Sequence, residues 1–299
     1  MLKLVVTTFL INSVGQYNIN NSVFRQCSSL TSGGGIFMDQ VSSNVLLYGC
    51  LFERCHTEEL GGAIYVKNAN ICYLVRDCFY MCSSKQINSV IIYGSEFYVS
   101  IAHTNLTDEY CPYSNLECSL YSAHNSFCTQ NNYSKAVTTW LCAGLYCSSK
   151  MSELISSFCQ VCDCYGPSFF GIWRTSSSTT LLMNFINNSV TDGWIEFHTS
   201  NLDPVLISIL FKKNNVTKFA KYFSSSGTPV CYNCVFDVPN SFSISINTYY
   251  NFLNTYAPLI SIPFMNTFQC WDNSTRIYTP VFSPYPTIIP YLCYIFAFE

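Results

Sequence analysis

The chain has 299 residues, 14 Lys and Arg against 17 Asp and Glu, and a formal net charge of −3, with charged residues making up only 10% of it. That balance leaves no basic stripe for nucleic acid or for an anionic membrane, so neither is expected as a partner. Hydrophobic residues reach 49% and aromatics 16%, enough for a large core, while Ser, Thr and Asn rather than charge supply the polar surface.

From the N-terminus, Lys3 and the apolar run Leu4 to Ile11 read in two ways, as a short leader or as an incomplete first coil. The second reading rests on a match, since Phe9-Leu10-Ile11-Asn12-Ser13-Val14 parallels Phe185-Ile186-Asn187-Asn188-Ser189-Val190. A repeat then begins near residue 20. Gly33-Gly34-Gly35-Ile36-Phe37 and Gly61-Gly62-Ala63-Ile64-Tyr65 lie 28 residues apart, and Phe-x-x-Cys follows each, at Phe52 to Cys55 and Phe79 to Cys82. Followed along the chain, the phenylalanine falls at Phe24, Phe52, Phe79, Phe127, Phe158, Phe185, Phe211 and Phe236, in steps of 28, 27, 48, 31, 27, 26 and 25. The step of 48 predicts a degenerate coil around 97–106 followed by a loop inserted at about 107–123.

A unit of this length cannot close a core alone and must bury its apolar face by stacking on its neighbours, the mark of a solenoid. Helix-pair repeats need long Ala, Leu, Glu and Lys-rich periods that 10% charge cannot supply, and regular Leu-x-x-Leu-x-Leu spacing does not appear. Short β-branched or aromatic runs do recur, as Ile36 to Met38, Ile64 to Val66, Val90 to Tyr93, Val137 to Trp140, Phe169 to Trp173, Trp194 to Phe197 and Phe219 to Phe223. The fold class is therefore all-β, a parallel β-helix of about eight coils. In that geometry equivalent residues stand roughly 4.8 Å apart in adjacent coils, so the phenylalanines are expected to stack. Three residues after the phenylalanine come Cys27, Cys55 and Cys82, then Asn188 and Asn214, where an inward side chain can bond the next turn's backbone.

Gly-Gly-Ala-Ile at 61–64, Phe-Ile-Asn-Asn at 185–188 and Phe-Lys-Lys-Asn at 211–214 resemble the paired GGA-[ILV] and F-x-x-N repeats of chlamydial-type polymorphic outer membrane proteins. The cysteine variant, Phe-Glu-Arg-Cys at 52–55, is similar to expanded β-helix surface proteins of trichomonad-type protozoa. The resemblance covers roughly 20–236 and implies a right-handed, pectin-lyase-like solenoid displayed at a cell surface, with adhesive or antigenic roles. Gly33, Gly34, Gly61 and Gly62 would be its repeat turns.

The organisation expected is 1–19 as leader or partial coil, 20–237 as repeats, 238–271 as an irregular cap and 272–299 as a Pro-rich linker with an apolar tail. Its apolar run of twelve, Thr287 to Phe298, falls short of the roughly 20 residues a bilayer-spanning helix needs, so membrane attachment is expected only through an anchor that is missing or cropped.

Eighteen cysteines point to an oxidising compartment and to disulfides somewhere in the chain. The Cys27, Cys55, Cys82 column is odd-numbered, so at least one member pairs elsewhere or stays a buried thiol; inward cysteine acting as a small hydrophobe is the alternative. Cys159-x-x-Cys162 and Cys231-x-x-Cys234 have zinc-like spacing, yet two such pairs are unsurprising among 18 cysteines, and no metal or other cofactor is expected. Catalysis on an acidic polysaccharide would need grouped carboxylates. Asp39, Asp77, Asp108, Asp163, Asp192, Asp203 and Asp237 instead fall singly, as do His56, His103, His124 and His198, and each reads as a loop or surface residue. Sequons at Asn20, Asn105, Asn132, Asn187, Asn215 and Asn273 permit glycosylation. The function expected is non-enzymatic contact with a host-surface protein or glycan or a neighbouring protein; a polysaccharide lyase or hydrolase and a structural surface-coat component are the rivals.

Overall fold

In a computed structural model the chain is described over residues 3–5, 7–39, 43–75, 77–84, 90–100, 103–105, 118–122, 126–129, 132–134, 142–149, 153–157, 159–173, 177–191, 195–198, 205–215, 220–222, 230–232 and 234–236. The described elements are all strands, every pairing is parallel, and they coil into a β-solenoid. One complete rung runs through Ile36–Asp39, Asn44–Tyr48, Leu51–Glu53 and His56–Thr57 before Gly61 and Gly62 open the next. Strand Ile64–Val75 fuses the first two positions of its rung and carries a register irregularity between Val66 and Ala69. Ile36, Met38, Val45, Leu47, Ile64, Val66, Cys72 and Leu74 are buried and their strand neighbours are not, so period-2 alternation sets which side chains fill the bore.

The strand that holds the phenylalanine builds a 10-stranded sheet, from Lys3–Val5 to Val235–Phe236. Its central register reads Val5, Phe24, Phe52, Phe79, Thr104, Tyr133, Val161, Phe185, Phe211 and Phe236. Two sequence expectations are corrected by it. Phe127 belongs to a different sheet, in register with Tyr98 and Ile155, because the solenoid's other faces also use aromatics. The span from Phe79 to Tyr133 is two full rungs carried by Thr104 and Tyr133, the first of them the degenerate coil expected around 97–106. Cys118–Ser122, assigned to the inserted loop, is a strand paired with Val90–Gly94 and Leu145–Ser149. Phe158 and 137–140 lie outside the described residues, as do the expected cap at 238–271 and tail at 272–299.

At the N-terminal end Lys3–Val5, Phe9–Ile11 and Gln16–Asn20 stack on the second rung. The match of Phe9–Val14 to Phe185–Val190 does not reflect equivalent positions. Phe9 stands against Ile36 on the face that follows the glycines, and Val5 holds the slot that Phe185 holds in its own rung.

Two left-handed corners bracket the phenylalanine strand. Three residues before the column come Asn21, Gly49, Leu182 and Ser208, with φ of 46°, 62°, 51° and 54°. Two residues after it come Gln26, Arg54, Met81, Asp163, Asn187 and Lys213, with φ between 52° and 55°. For a non-glycine residue this conformation costs roughly 1–2 kcal/mol. It persists because it aims the corner N–H along the axis: Gln26 N donates to Glu53 O at 2.8 Å, Arg54 N to Tyr80 O at 2.8 Å and Leu182 N to Ile207 O at 2.9 Å. Gly33 and Gly61 take φ of 69° and 68°, and a Cβ at Gly34 or Gly62 would meet the carbonyl of Gly62 or Ser83, so the rungs close up only where a side chain is missing.

Candidate functional site

Around these two corners three residue slots face inward: the phenylalanine, the residue three places after it, just past the second corner, and the residue two places before it. Phe24 and Phe52 stack with ring centroids 4.6 Å apart and planes 4° apart; Phe52 and Phe79 follow at 5.0 Å and 10°. Phe185 and Phe211 repeat the arrangement at 5.1 Å and 7°. All five are at most 1% exposed, so each ring adds a parallel aromatic contact, worth about 0.5–1.5 kcal/mol, to the burial of its area. Of the remaining predicted members, Phe236 holds the register next to Phe211.

The second slot carries hydrogen-bond chemistry. Cys27 Sγ donates to Val5 O at 3.3 Å, Cys55 Sγ to Phe24 O at 3.5 Å and Cys82 Sγ to Phe52 O at 3.5 Å. Each thiol thus reaches back to the carbonyl of the phenylalanine slot one rung earlier. Asn188 Nδ2 donates to Val161 O at 2.9 Å and Asn214 Nδ2 to Phe185 O at 2.8 Å, so asparagine makes the same bond. It also makes another: Asn188 Oδ1 accepts Cys164 N at 2.9 Å, and Asn214 Oδ1 accepts both Asn188 N and Asn188 Nδ2 at 2.9 Å. Cys164, which the sequence reading left out, sits in this slot three residues after Val161 and is buried. Asp163, in the left-handed corner just before it, marks the position.

The ladder cysteines are thiols. A hydrogen bond from Cys55, and then burial, push the Cys27 thiol far above its usual range. Reactivity needs thiolate, so Cys27 acts as packing and as a weak donor. Cys78 is disulfide-bonded.

The third slot corrects a reading. Asp77, expected at a loop or surface, is fully buried, in the position that Cys50 holds one rung earlier. Asp77 Oδ1 accepts Cys50 N at 2.8 Å and Oδ2 accepts Val75 N at 3.1 Å. Burial pushes its carboxyl up to about 8, and those backbone donors only partly offset the desolvation. Burial likewise raises the neighbouring thiols of Cys50 and Cys72. The placement two residues before Phe79 was the available signal, because Cys50 stands in the same relation to Phe52.

The other titratable candidates stay apart. Asp39 is exposed, with its Oδ2 3.4 Å from Lys67 Nζ, and Asp163 accepts Asn187 Nδ2 at 2.6 Å. His56 Nδ1 lies 2.9 Å from Ser83 Oγ. His103 and His198 fall in strands rather than loops, while Asp108, Asp192, Asp203, Asp237 and His124 lie outside the described residues. Cys159 and Cys162 differ in setting, the first buried and the second half-buried. Among the described residues no group of three His, Cys, Asp or Glu is placed to hold a metal. Of the sequon asparagines, Asn20, Asn187 and Asn215 are exposed, Asn105 and Asn132 fall in strands, and Asn273 is outside the described residues.

No protein-family model, curated protein or solved structure matches this chain.

Proposed function

We propose that this chain is a non-enzymatic β-solenoid of the cell surface or of a secreted protein, whose outer faces make adhesive or antigenic contact with host molecules or neighbouring proteins. The observation that carries the reading is the division of labour between inside and outside. Cys27, Cys55, Cys82, Asn188, Asn214 and the buried Asp77 are engaged within the ladders. Outward positions such as Arg25, Glu53, Phe37 and Tyr65 are free to vary without disturbing them. A disulfide at Cys78 and 18 cysteines suit a protein folded in an oxidising compartment.

The test is a pair of assays on the full chain: binding to host-cell monolayers, and release of reducing or unsaturated ends from uronate polymers with and without calcium. Saturable binding without release of ends is expected. Release of ends would overturn the proposal in favour of a lyase or hydrolase, and absence of saturable binding would overturn it in favour of a coat component.

A further inference from the structure

Five of the six sequon asparagines fall among the described residues, and they are not spread around the coil. Counted from the central column of the phenylalanine strand, Asn20 stands four residues before Phe24, Asn132 one before Tyr133, Asn105 one after Thr104, Asn187 two after Phe185 and Asn215 four after Phe211. That is a window of nine positions in rungs of 24 to 29 residues. The five therefore lie along or beside one face, and none is on the strand that follows the glycines.

Their register also matches exposure. Asn20, Asn187 and Asn215 each belong to an Asn-Asn pair, and in each pair the sequon falls on the outer member. Asn187 is exposed while Asn188 is 1% exposed and bonded inside the ladder. Asn215 is exposed while Asn214 is 7% exposed and bonded likewise. Asn20 is exposed while Asn21 is half-buried at its corner. A sequon displaced by one position at 187 or 215 would have named a ladder asparagine, where the bore leaves no room for a sugar.

We propose, on the secreted or surface reading above, that Asn20, Asn187 and Asn215 carry N-linked oligosaccharides that flank the phenylalanine face. The donor class is an oligosaccharide on a lipid pyrophosphate. The asparagine Nδ2 bonds to the anomeric carbon, the bond from that carbon to the pyrophosphate oxygen breaks, the lipid pyrophosphate leaves with the electron pair, and the amide gives up one proton. The modified amide keeps one N–H. At Asn187 that single N–H suffices for the bond Nδ2 donates to Asp163 Oδ1 at 2.6 Å, so the sugar and the corner are compatible. A chain with only 10% charged residues thereby gains a hydrated surface.

The test is made on the full chain isolated from the cells that produce it, treated with peptide N-glycosidase in heavy-oxygen water and mapped by mass spectrometry. The enzyme turns each glycosylated asparagine into a labelled aspartate, and label is expected at Asn20, Asn187 and Asn215. Asn187→Gln is expected to remove one glycan step in gel mobility and to fold, since Gln26 already holds the equivalent corner with φ of 53°. Ser189→Ala, which ends the sequon and leaves Asn187 in place, is expected to remove the same step. An unlabelled Asn20, Asn187 or Asn215, or mobility unchanged in both variants, would overturn the proposal. Where the unlabelled chain is recovered from the medium or is reached on intact cells by membrane-impermeant biotin, the failure is confined to the oligosaccharides. An unlabelled chain found in neither place fails the secreted or surface reading as well.

Discussion

From Phe24 to Cys82 the slot three residues after each phenylalanine is cysteine, and from Phe185 to Asn214 it is asparagine. Both donate to the carbonyl of the aromatic slot one rung earlier. They differ in what they accept. The asparagine oxygen takes up the backbone N–H of the ladder residue one rung earlier, as Asn188 does for Cys164 and Asn214 for Asn188. A thiol sulfur is a weak acceptor and cannot replace it. The cysteine rungs instead pack a small polarisable group, and their rings stack as closely as those of the asparagine rungs. The solenoid thus joins rungs in two ways, by packed thiols around Cys27, Cys55 and Cys82 and by the bonded amides of Asn188 and Asn214.

The feature common to both regions should cost most when removed. Phe52→Ala deletes two ring stacks at once and leaves a cavity inside the bore, so a loss of about 3–5 kcal/mol is expected in urea denaturation. Phe185→Ala should fall in the same range; if it were mild, the two regions would differ in their aromatic columns as well. Next comes the ladder itself. Asn188→Ala orphans the buried Cys164 N–H and takes one donor from the Val161 carbonyl, and about 2–4 kcal/mol should be lost, whereas Cys55→Ala should cost about 1–2 kcal/mol. Equal losses for the two would abolish the distinction.

A third measurement uses pH. Asp77 belongs to the cysteine region, and its folded carboxyl titrates near 8 against 3.8 for the ordinary group. Between those values the folded state binds the extra proton, so its contribution to stability is complete below about 4 and is lost as pH rises towards 8. The thermal midpoint should fall across that interval, by the equivalent of about 2–4 kcal/mol at about 1.4 kcal/mol per pH unit over part of the range. Asp77→Asn should flatten the profile and be the more stable form above pH 8. A wild-type profile that rises with pH would mean that the bonds from Cys50 and Val75 N–H hold the carboxylate ionised.

How much of this was legible in the sequence depends on how well a slot tolerates substitution. Phe24, Phe52, Phe79, Phe185 and Phe211 could be read directly because a stacked ring is best replaced by another ring. The register slipped between Phe79 and Phe185, where Thr104, Tyr133 and Val161 fill the column while Phe127 stands on another face. Hydrophobicity alone does not tell an inward slot from an outward one on a solenoid whose outside is also aromatic. The left-handed corners offer a better key, since Asp163 and Asn187, two residues past the column, belong to the types that adopt that conformation most easily. Asp77 was missed because an isolated carboxylate ordinarily reads as surface. Its offset from Phe79 outweighs that prior.

The smallest effect tests the outside of the cysteine region. Arg25 Nε and Glu53 Oε2 form an ion pair across one rung, but the arginine side chain is 50% exposed. Such a pair is screened by water and salt and costs side-chain entropy, so Arg25→Ala should change stability by only about 0.2–1 kcal/mol. The difference between wild type and variant should shrink further in 1 M salt, where screening acts over about 3 Å. A larger or salt-resistant loss would mean that Arg25 supports the left-handed corner at Gln26, whose N–H donates to the backbone carbonyl of Glu53. The inner columns and the outer charges would then form one cooperative unit. A small, salt-sensitive loss keeps them separate and leaves the outer surface free to vary while the ladders maintain the fold.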